Sequence, residues 1–266
     1  MTKIVVFSDL HMRPAPPAGR PDPLASLERG LAHAVARQGD AEAVVFCGDL
    51  AHDGDAASYR RLKRLLEKTD LPIHPMLGNH DDRDTFRAVF PEVPTDPAGF
   101  VQRVVDLPGV RLVLLDTLHA AQPDDPLRHA GRLCPARLDW MEARLAETAM
   151  PCIVFMHHPP HATGFPAMDR IALRDGAAFH DRLARHDHVR LLVCGHIHRT
   201  ISGCHRGLPF CVFKSPVGQM PMDFETLDSS IECGEPAAYG ILLSTPEGVI
   251  VHSEDYGLAP ALDAGP

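Results

Sequence analysis

Apolar residues in this chain come in short unbroken runs, and four of these runs give way abruptly to Asp or His. Ile4-Val5-Val6-Phe7 leads into Ser8-Asp9-Leu10-His11, and Ala43-Val44-Val45-Phe46-Cys47 into Gly48-Asp49. Ile153-Val154-Phe155-Met156 leads into His157-His158, and Arg190-Leu191-Leu192-Val193-Cys194 into Gly195-His196-Ile197-His198. Such runs read as strands buried on both faces. Between them the spacing turns helical. Leu24, Leu27, Leu31, Ala34 and Val35 mark a helix over Leu24–Arg37, and Tyr59, Leu62, Leu65 and Leu66 mark one over Ala56–Lys68. A short strand, Leu71–Met76, enters Gly78-Asn79-His80-Asp81, and a helix over Arg83–Phe90 stops at Pro91.

The middle of the chain changes character. Phe100–Leu107 and Val110–Asp116 read as paired strands around the Pro108-Gly109 turn. A polar loop, Gln122–Arg132, precedes a helix opening at Pro135, where proline suits the first turn. A helix over about Gly176–Arg185 separates the last two apolar runs, and the chain from Ile201 onward reads as hairpins. Pro216–Pro236 has no period and reads as an inserted lid or contact arm. Strand–helix alternation followed by antiparallel strands predicts an α/β fold of two stacked sheets with helices outside. There is no internal repeat, so residues 1–266 read as one domain with an arm at about 216–237.

Composition narrows the function. A net charge of −9 argues against a groove for nucleic-acid polymers. Seven cysteines without a CxxC spacing, several inside apolar runs, suit a reducing compartment. The first strand begins at Lys3, which leaves no room for a leader, and no apolar run is long enough to span a bilayer. The expectation is a soluble, cytoplasmic protein.

Open α/β sheets carry their chemistry at the carboxyl ends of the strands, where the polar clusters lie. Asp9 and His11 are two apart, and in an extended segment their side chains leave on the same side. His196 and His198 repeat that spacing. Asp49 follows a glycine that lets backbone come close, and its central place suits a carboxylate shared by two cations. Asn79 offers a neutral carbonyl oxygen. His157 is preferred to its neighbour His158 because it comes first after the strand. Each pair alone is commonplace, but together they point to two cations with mixed N/O ligation, of the Mn, Fe, Zn or Co type. Two aspartates against two divalent ions leave the centre at about +2, or about +1 with a hydroxide, which attracts an anionic substrate.

The order D-x-H, G-D, G-N-H-D, H and G-H-x-H, from Asp9 to His198, resembles the calcineurin-like metallophosphoesterase superfamily. That resemblance implies a four-layer αββα sandwich of two mixed sheets flanked by helices. It implies one metal held by Asp9, His11, Asp49 and His198 and a second by Asp49, Asn79, His157 and His196, the pair divalent or mixed-valence. It places His80 near the phosphate as the group that assists the leaving oxygen, with Asp49 and His80 as the catalytic residues and His80 and His198 facing substrate. Leu115-Asp116-Thr117, Gly131-Arg132-Leu133-Cys134, His157-His158-Pro159-Pro160 and Gly164–Asp169 are similar to the class III cyclic-nucleotide phosphodiesterase branch, which includes bacterial glycerophosphodiesterases. The phosphate-binding arginine of protein Ser/Thr phosphatases is missing after Asp49, and Tyr59, Tyr239 and Tyr256 lie outside the motifs that would mark a purple acid phosphatase. Members of the branch are often dimeric or larger through a C-terminal arm. One departure is Gly218, in Lys214-Ser215-Pro216-Val217-Gly218-Gln219, where the branch usually carries a histidine. Its absence predicts open space there, with Lys214 either nearby as a compensating charge or solvated.

The sequence therefore predicts a dinuclear metal-dependent hydrolase of small phosphodiesters acting through a metal-activated hydroxide. The alternatives are a broad phosphomonoesterase or phosphonate-ester hydrolase on the same centre, a nuclease, and a non-catalytic scaffold.

Overall fold

Along each buried run, successive side chains alternate between two environments. In β1 (Thr2–Phe7), Ile4 and Val6 join one apolar cluster while Val5 and Phe7 join another, all fully buried. β2 (Ala43–Phe46) splits the same way. In β5 (Val110–Leu114), β6 (Cys152–Phe155) and β7 (Val189–Cys194), Leu112, Leu114, Ile153, Phe155, Leu191 and Val193 enter the cluster that holds Ile4 and Val6. That shared cluster is the interface between two sheets, so both faces of each strand are apolar.

The computed structural model describes residues 1–120 and 124–257. One sheet has the order β11-β10-β1-β2-β3, with β3 at Ile73–Pro75, β10 at Ala238–Thr245 and β11 at Gly248–Asp255. The other has the order β4-β5-β6-β7-β9-β8, with β4 at Arg103–Leu107, β8 at Ile201–His205 and β9 at Leu208–Val212. Both are mixed. β1, β2 and β3 run parallel beside antiparallel β10, and β5, β6, β7 and β9 run parallel between antiparallel β4 and β8.

Helices α1 (Pro23–Gln38), α2 (Ala56–Leu66) and α3 (Arg83–Val89) cover the outer face of the first sheet. Helices α4 (Pro135–Ala146), α5 (Pro166–Asp169) and α6 (Gly176–Leu183) cover the second. The result is the expected four-layer αββα sandwich. Asp22, Asp55 and Asp82 cap α1, α2 and α3 by accepting backbone N–H groups of the first turn, and Pro135 opens α4.

Most differences from the sequence reading are at boundaries. β4 begins three residues later than Phe100, because Asp96 draws the Phe100 N–H and the Gln102 side chain into a turn. The single-turn α5 was not expected, since four residues carry no period. The two C-terminal hairpins belong to different sheets, β8–β9 to the second and β10–β11 to the first. Residues 216–236 hold no strand. An isolated bridge between Gln219 and Cys233 closes them into an arm. Of the loop Gln122–Arg132, Gln122 and Pro123 lie outside the described residues.

Leu112 is fully buried between the sheets, and Asp55 caps α2 from the surface through the Ala57 and Ser58 N–H groups. Urea unfolding of metal-loaded protein should show Leu112→Ala losing about 2–5 kcal/mol. Asp55→Ala should lose only about 0.5–2 kcal/mol. Equal losses would mean that the space between the sheets is not the main core.

Candidate metal centre

Past their strand ends, the loops continue to pair. Asp9 N–H donates to Gly48 O at 3.1 Å, His11 N–H to Asp49 O at 2.8 Å, and Gly195 N–H to His157 O at 3.0 Å. The chain makes these turns with left-handed backbone at Asp9, His11, Asp49, His196 and His198, with φ between 44° and 73°. Among the described residues only Arg206 is another non-glycine with positive φ. Five such residues at one place mark strain held for a purpose. They also correct the extended reading of the D-x-H and H-x-H pairs, whose side chains are aimed by the turn rather than by strand alternation. Two glycines make the approach possible. A Cβ on Gly48, at φ 92°, would sit 2.5 Å from His157 Nδ1, and one on Gly78 would collide with the Asp49 carboxylate.

All the residues expected as ligands come together. His11 Nε2 lies 3.0 Å from His198 Nε2 and 3.6 Å from Asp49 Oδ2, and His198 Nε2 lies 3.4 Å from Asp9 Oδ1. His157 Nε2 lies 3.2 Å from Asn79 Oδ1 and 3.3 Å from Asp49 Oδ2. Asp49 Oδ2 is thus within reach of both subsets. Ligands bound at about 2.0–2.2 Å to one ion lie roughly 3.0–3.5 Å apart, which matches these edges.

The outer nitrogens are fixed to carbonyls. His157 Nδ1–H donates to Cys47 O and His198 Nδ1–H to Gly218 O, each at 2.8 Å, so Nε2 of each is the free donor atom. His196 Nε2 is buried with no hydrogen-bond partner, the state of an atom that wants a cation. His158 differs. Its Nδ1 faces Thr117 Oγ1 at 2.8 Å and its Nε2 faces His129 O at 3.1 Å, so both nitrogens are engaged away from the centre.

Carboxylates and rings buried side by side shift one another. Burial alone would raise the Asp49 carboxyl, but the neighbouring His157, His80 and His11 rings hold it well below the usual range. Burial pulls His157 down, yet Asp49 and Asp9 outweigh it and push it up to about 9. His198 is likewise raised, against burial, by Asp9. Burial keeps His11 and His196 neutral, well below their ordinary value. His157 and His198 thus face carboxylates that favour positive charge beside them.

Several residues escaped the sequence reading. Asp81 is buried and accepts the Leu50, Ala51 and Gly78 N–H groups and the Tyr59 hydroxyl, tying the Asp49 and Asn79 loops together. Burial, with Asp49 nearby, raises its carboxyl to about 6. Its place within G-N-H-D was the available signal. His52 and His129 flank His80, with ring centroids at 5.0 and 5.3 Å and near-parallel planes; nothing in their spacing marks them. The His80 N–H donates to Asp49 Oδ1 at 2.9 Å, and its ring Nδ1–H to His52 O at 2.8 Å.

The centre floors a cleft of about 550 Å³. Val217, Met220 and Ser229–Glu232 of the arm line it, together with Arg13 and Arg20. The space expected beside Gly218 is not open. A Cβ there would lie 2.7 Å from Glu232 Cδ, and Glu232 pairs with Arg20 at 3.0 Å. Lys214 neither lines the cleft nor is solvated, since it pairs with Asp255 at 3.1 Å and Glu235 at 3.3 Å. Ser215 and Gln219 do matter. Ser215 Oγ donates to Asp9 O at 2.7 Å, and Ser215 and Gln219 bond reciprocally.

Comparison with known proteins agrees with this geometry. A probable cyclic nucleotide phosphodiesterase of Rhodopseudomonas palustris is 36% identical over 256 residues, covering 94% of this chain and 91% of the relative. A glycerophosphodiester phosphodiesterase of Enterobacter lignolyticus is 30% identical over 186 residues, covering 68% of this chain and 64% of that protein. The crystal structure of a dimetal phosphatase from Danio rerio shares the fold, with a TM-score of 0.72 at 16% identity and 95% coverage of both chains. The model of the calcineurin-like phosphoesterases matches residues 2–200, and the chain belongs to that family.

Proposed function

We propose that this chain hydrolyses phosphodiester bonds in small molecules at the strand-end centre. Membership of the calcineurin-like phosphoesterase family implies divalent cations. The observation that carries the reading is the fused donor set: two subsets of ligand atoms sharing Asp49 Oδ2, with His80 hydrogen-bonded to the same carboxylate. Asp9, His11, Asp49 and His198 would hold one cation and Asp49, Asn79, His157 and His196 the other. Mixed N/O ligation without cysteine favours Mn, Fe, Zn or Co. When bound, such a pair polarises phosphoryl oxygens and lowers the pKa of water.

The protein's own groups do the rest. Because His80 Nδ1–H donates to a carbonyl, its other ring nitrogen is left to carry a proton toward a leaving oxygen in the cleft. His198 and His80 both line the cleft, next to the space for a phosphoryl group. A volume of about 550 Å³ suits a nucleotide or a glycerophosphodiester. The names of the two relatives support small diesters as the substrate class.

We read residues 1–266 as one domain whose arm, residues 216–237, is both a wall of the cleft and a contact surface. Met222, Phe224, Leu227 and Ile231 are large, apolar and exposed on that arm, which supports a homo-oligomer. The cysteines are all free, which supports a reducing, cytoplasmic setting. No helix among the described residues is long and apolar enough to cross a membrane.

Metal content tests the ligand roles. Asp49→Ala should lower retention of both cations, Asn79→Ala mainly one, by elemental analysis after desalting. Small equal losses would contradict a shared Asp49.

A substrate panel tests the reaction and the role of His80 together. Reconstituted protein should cleave bis-p-nitrophenyl phosphate and cyclic AMP or glycerophosphocholine faster than p-nitrophenyl phosphate. His80→Ala should keep its metals yet lose roughly 10²–10⁴-fold with alkoxide leaving groups and much less with p-nitrophenolate. Faster monoester cleavage would favour the phosphomonoesterase reading, and a uniform loss would make His80 a positioning group.

Light scattering tests the arm. The wild type should elute as a dimer or larger, and Met222→Ser with Phe224→Ser should shift it toward monomer. A monomeric wild type would remove the contact role.

A further inference from the structure

A second group of imidazoles stands apart from the catalytic centre. His161 lies in the loop after β6, His180 on α6, and His205 at the end of β8, the edge strand of the second sheet. None of the three lines the catalytic cleft. The His161 and His205 rings stack at 4.3 Å with 7° between their planes, and the His180 ring lies 4.6 Å from His205. His161 Nδ1 is 3.3 Å from His180 Nε2, and one ring nitrogen from each residue lies within 4.8 Å of the others. We propose that His161, His180 and His205 bind one borderline transition-metal ion of the zinc type, which clasps the β6 loop, α6 and the edge strand together.

The chemistry of the three rings favours an ion over plain stacking. His161 Nδ1 faces His180 Nε2 at 3.3 Å, and these are the two nitrogens an ion would share, while His161 Nε2 lies on the far edge of the ring. A phenylalanine would stack equally well but would offer no nitrogen to its neighbours. Phe210 packs edge-on against His161 at 4.4 Å and Phe179 against His180 at 5.4 Å, so aromatic walls already shield the cluster. Burial first, and then the neighbouring rings, hold His161 and His180 down to about 4. Their lone pairs are therefore available at neutral pH.

Imidazole nitrogen suits zinc, copper or nickel. Ligands at about 2.0–2.1 Å in a tetrahedral shell lie roughly 3.3 Å apart, which is the His161–His180 spacing. One nitrogen from each ring lies within 4.8 Å of the others, and binding requires His205 to leave its plane parallel to His161 so that its lone pair meets the ion. Three protein ligands leave a position for water. The nearest carboxylate on α6, Asp181, pairs with Arg206 at 2.7 Å and is already engaged.

The test uses full-length protein reconstituted with Mn²⁺, dialysed against low-micromolar Zn²⁺ and analysed for metal per chain. His205→Gln changes a partly exposed edge position, and His161→Gln gives an independent second variant. Wild type should hold one more equivalent than either variant, and Zn²⁺ should raise its Tm but not theirs. Diester turnover in the variants should stay within about twofold, as for distant independent sites. Equal metal content in wild type and both folded variants, or a Zn²⁺-induced Tm rise that survives both, would overturn the proposal. An empty catalytic centre would lower all three totals alike and leave the one-equivalent difference readable.

Discussion

Two carboxylates and several imidazoles are packed together at the floor of the cleft, and that crowding governs the molecule. Asp9 and Asp49 are 0% and 2% exposed, too deep to be solvated as anions. The fold reaches this state by stacking two sheets so that parallel strands of both end at one edge. No single sheet would bring Asp9 and Asn79 against His157 and His196, because those residues follow strands of different sheets. The apolar layer between the sheets therefore does more than stabilise. It fixes the spacing across which the two halves of the donor set meet.

Much of this was legible because burial on both faces leaves a plain mark. Runs such as Val44-Val45-Phe46 cannot be surface strands, and the polar residue after each run announced an edge. Long-range pairing left no such mark. That β9 joins β7 in parallel while β10 joins β1 depends on tertiary contacts between distant segments. The left-handed turns were invisible for a related reason. Asp and His visit positive φ more often than most side chains, but still too seldom for a local rule to assign it to them, and the surrounding bonds hold it. His52 and His129 were silent because their partners, His80 and Asn79, are distant in sequence.

The arm shows how one missing side chain changes its neighbourhood. At Gly218 the backbone carbonyl orients His198, while Glu232 fills the space beside the glycine and pairs with Arg20. A carboxylate–guanidinium pair therefore lies on the rim where the resemblance implied a histidine ring. Two surface segments, Arg20 in the proline-rich loop and Glu232 in the arm, thus contribute to the polarity of the cleft mouth.

The left-handed backbone at Asp9, His11, Asp49, His196 and His198 has an evolutionary side. Each such residue costs on the order of 1–3 kcal/mol. Exchange of any of them for glycine would relax the turn and remove a buried polar head in one step. An inert descendant of this chain should then be easier to fold than its active parent. Such turns persist only where the surrounding bonds offset their cost, so these five positions draw on the stability of the whole sandwich.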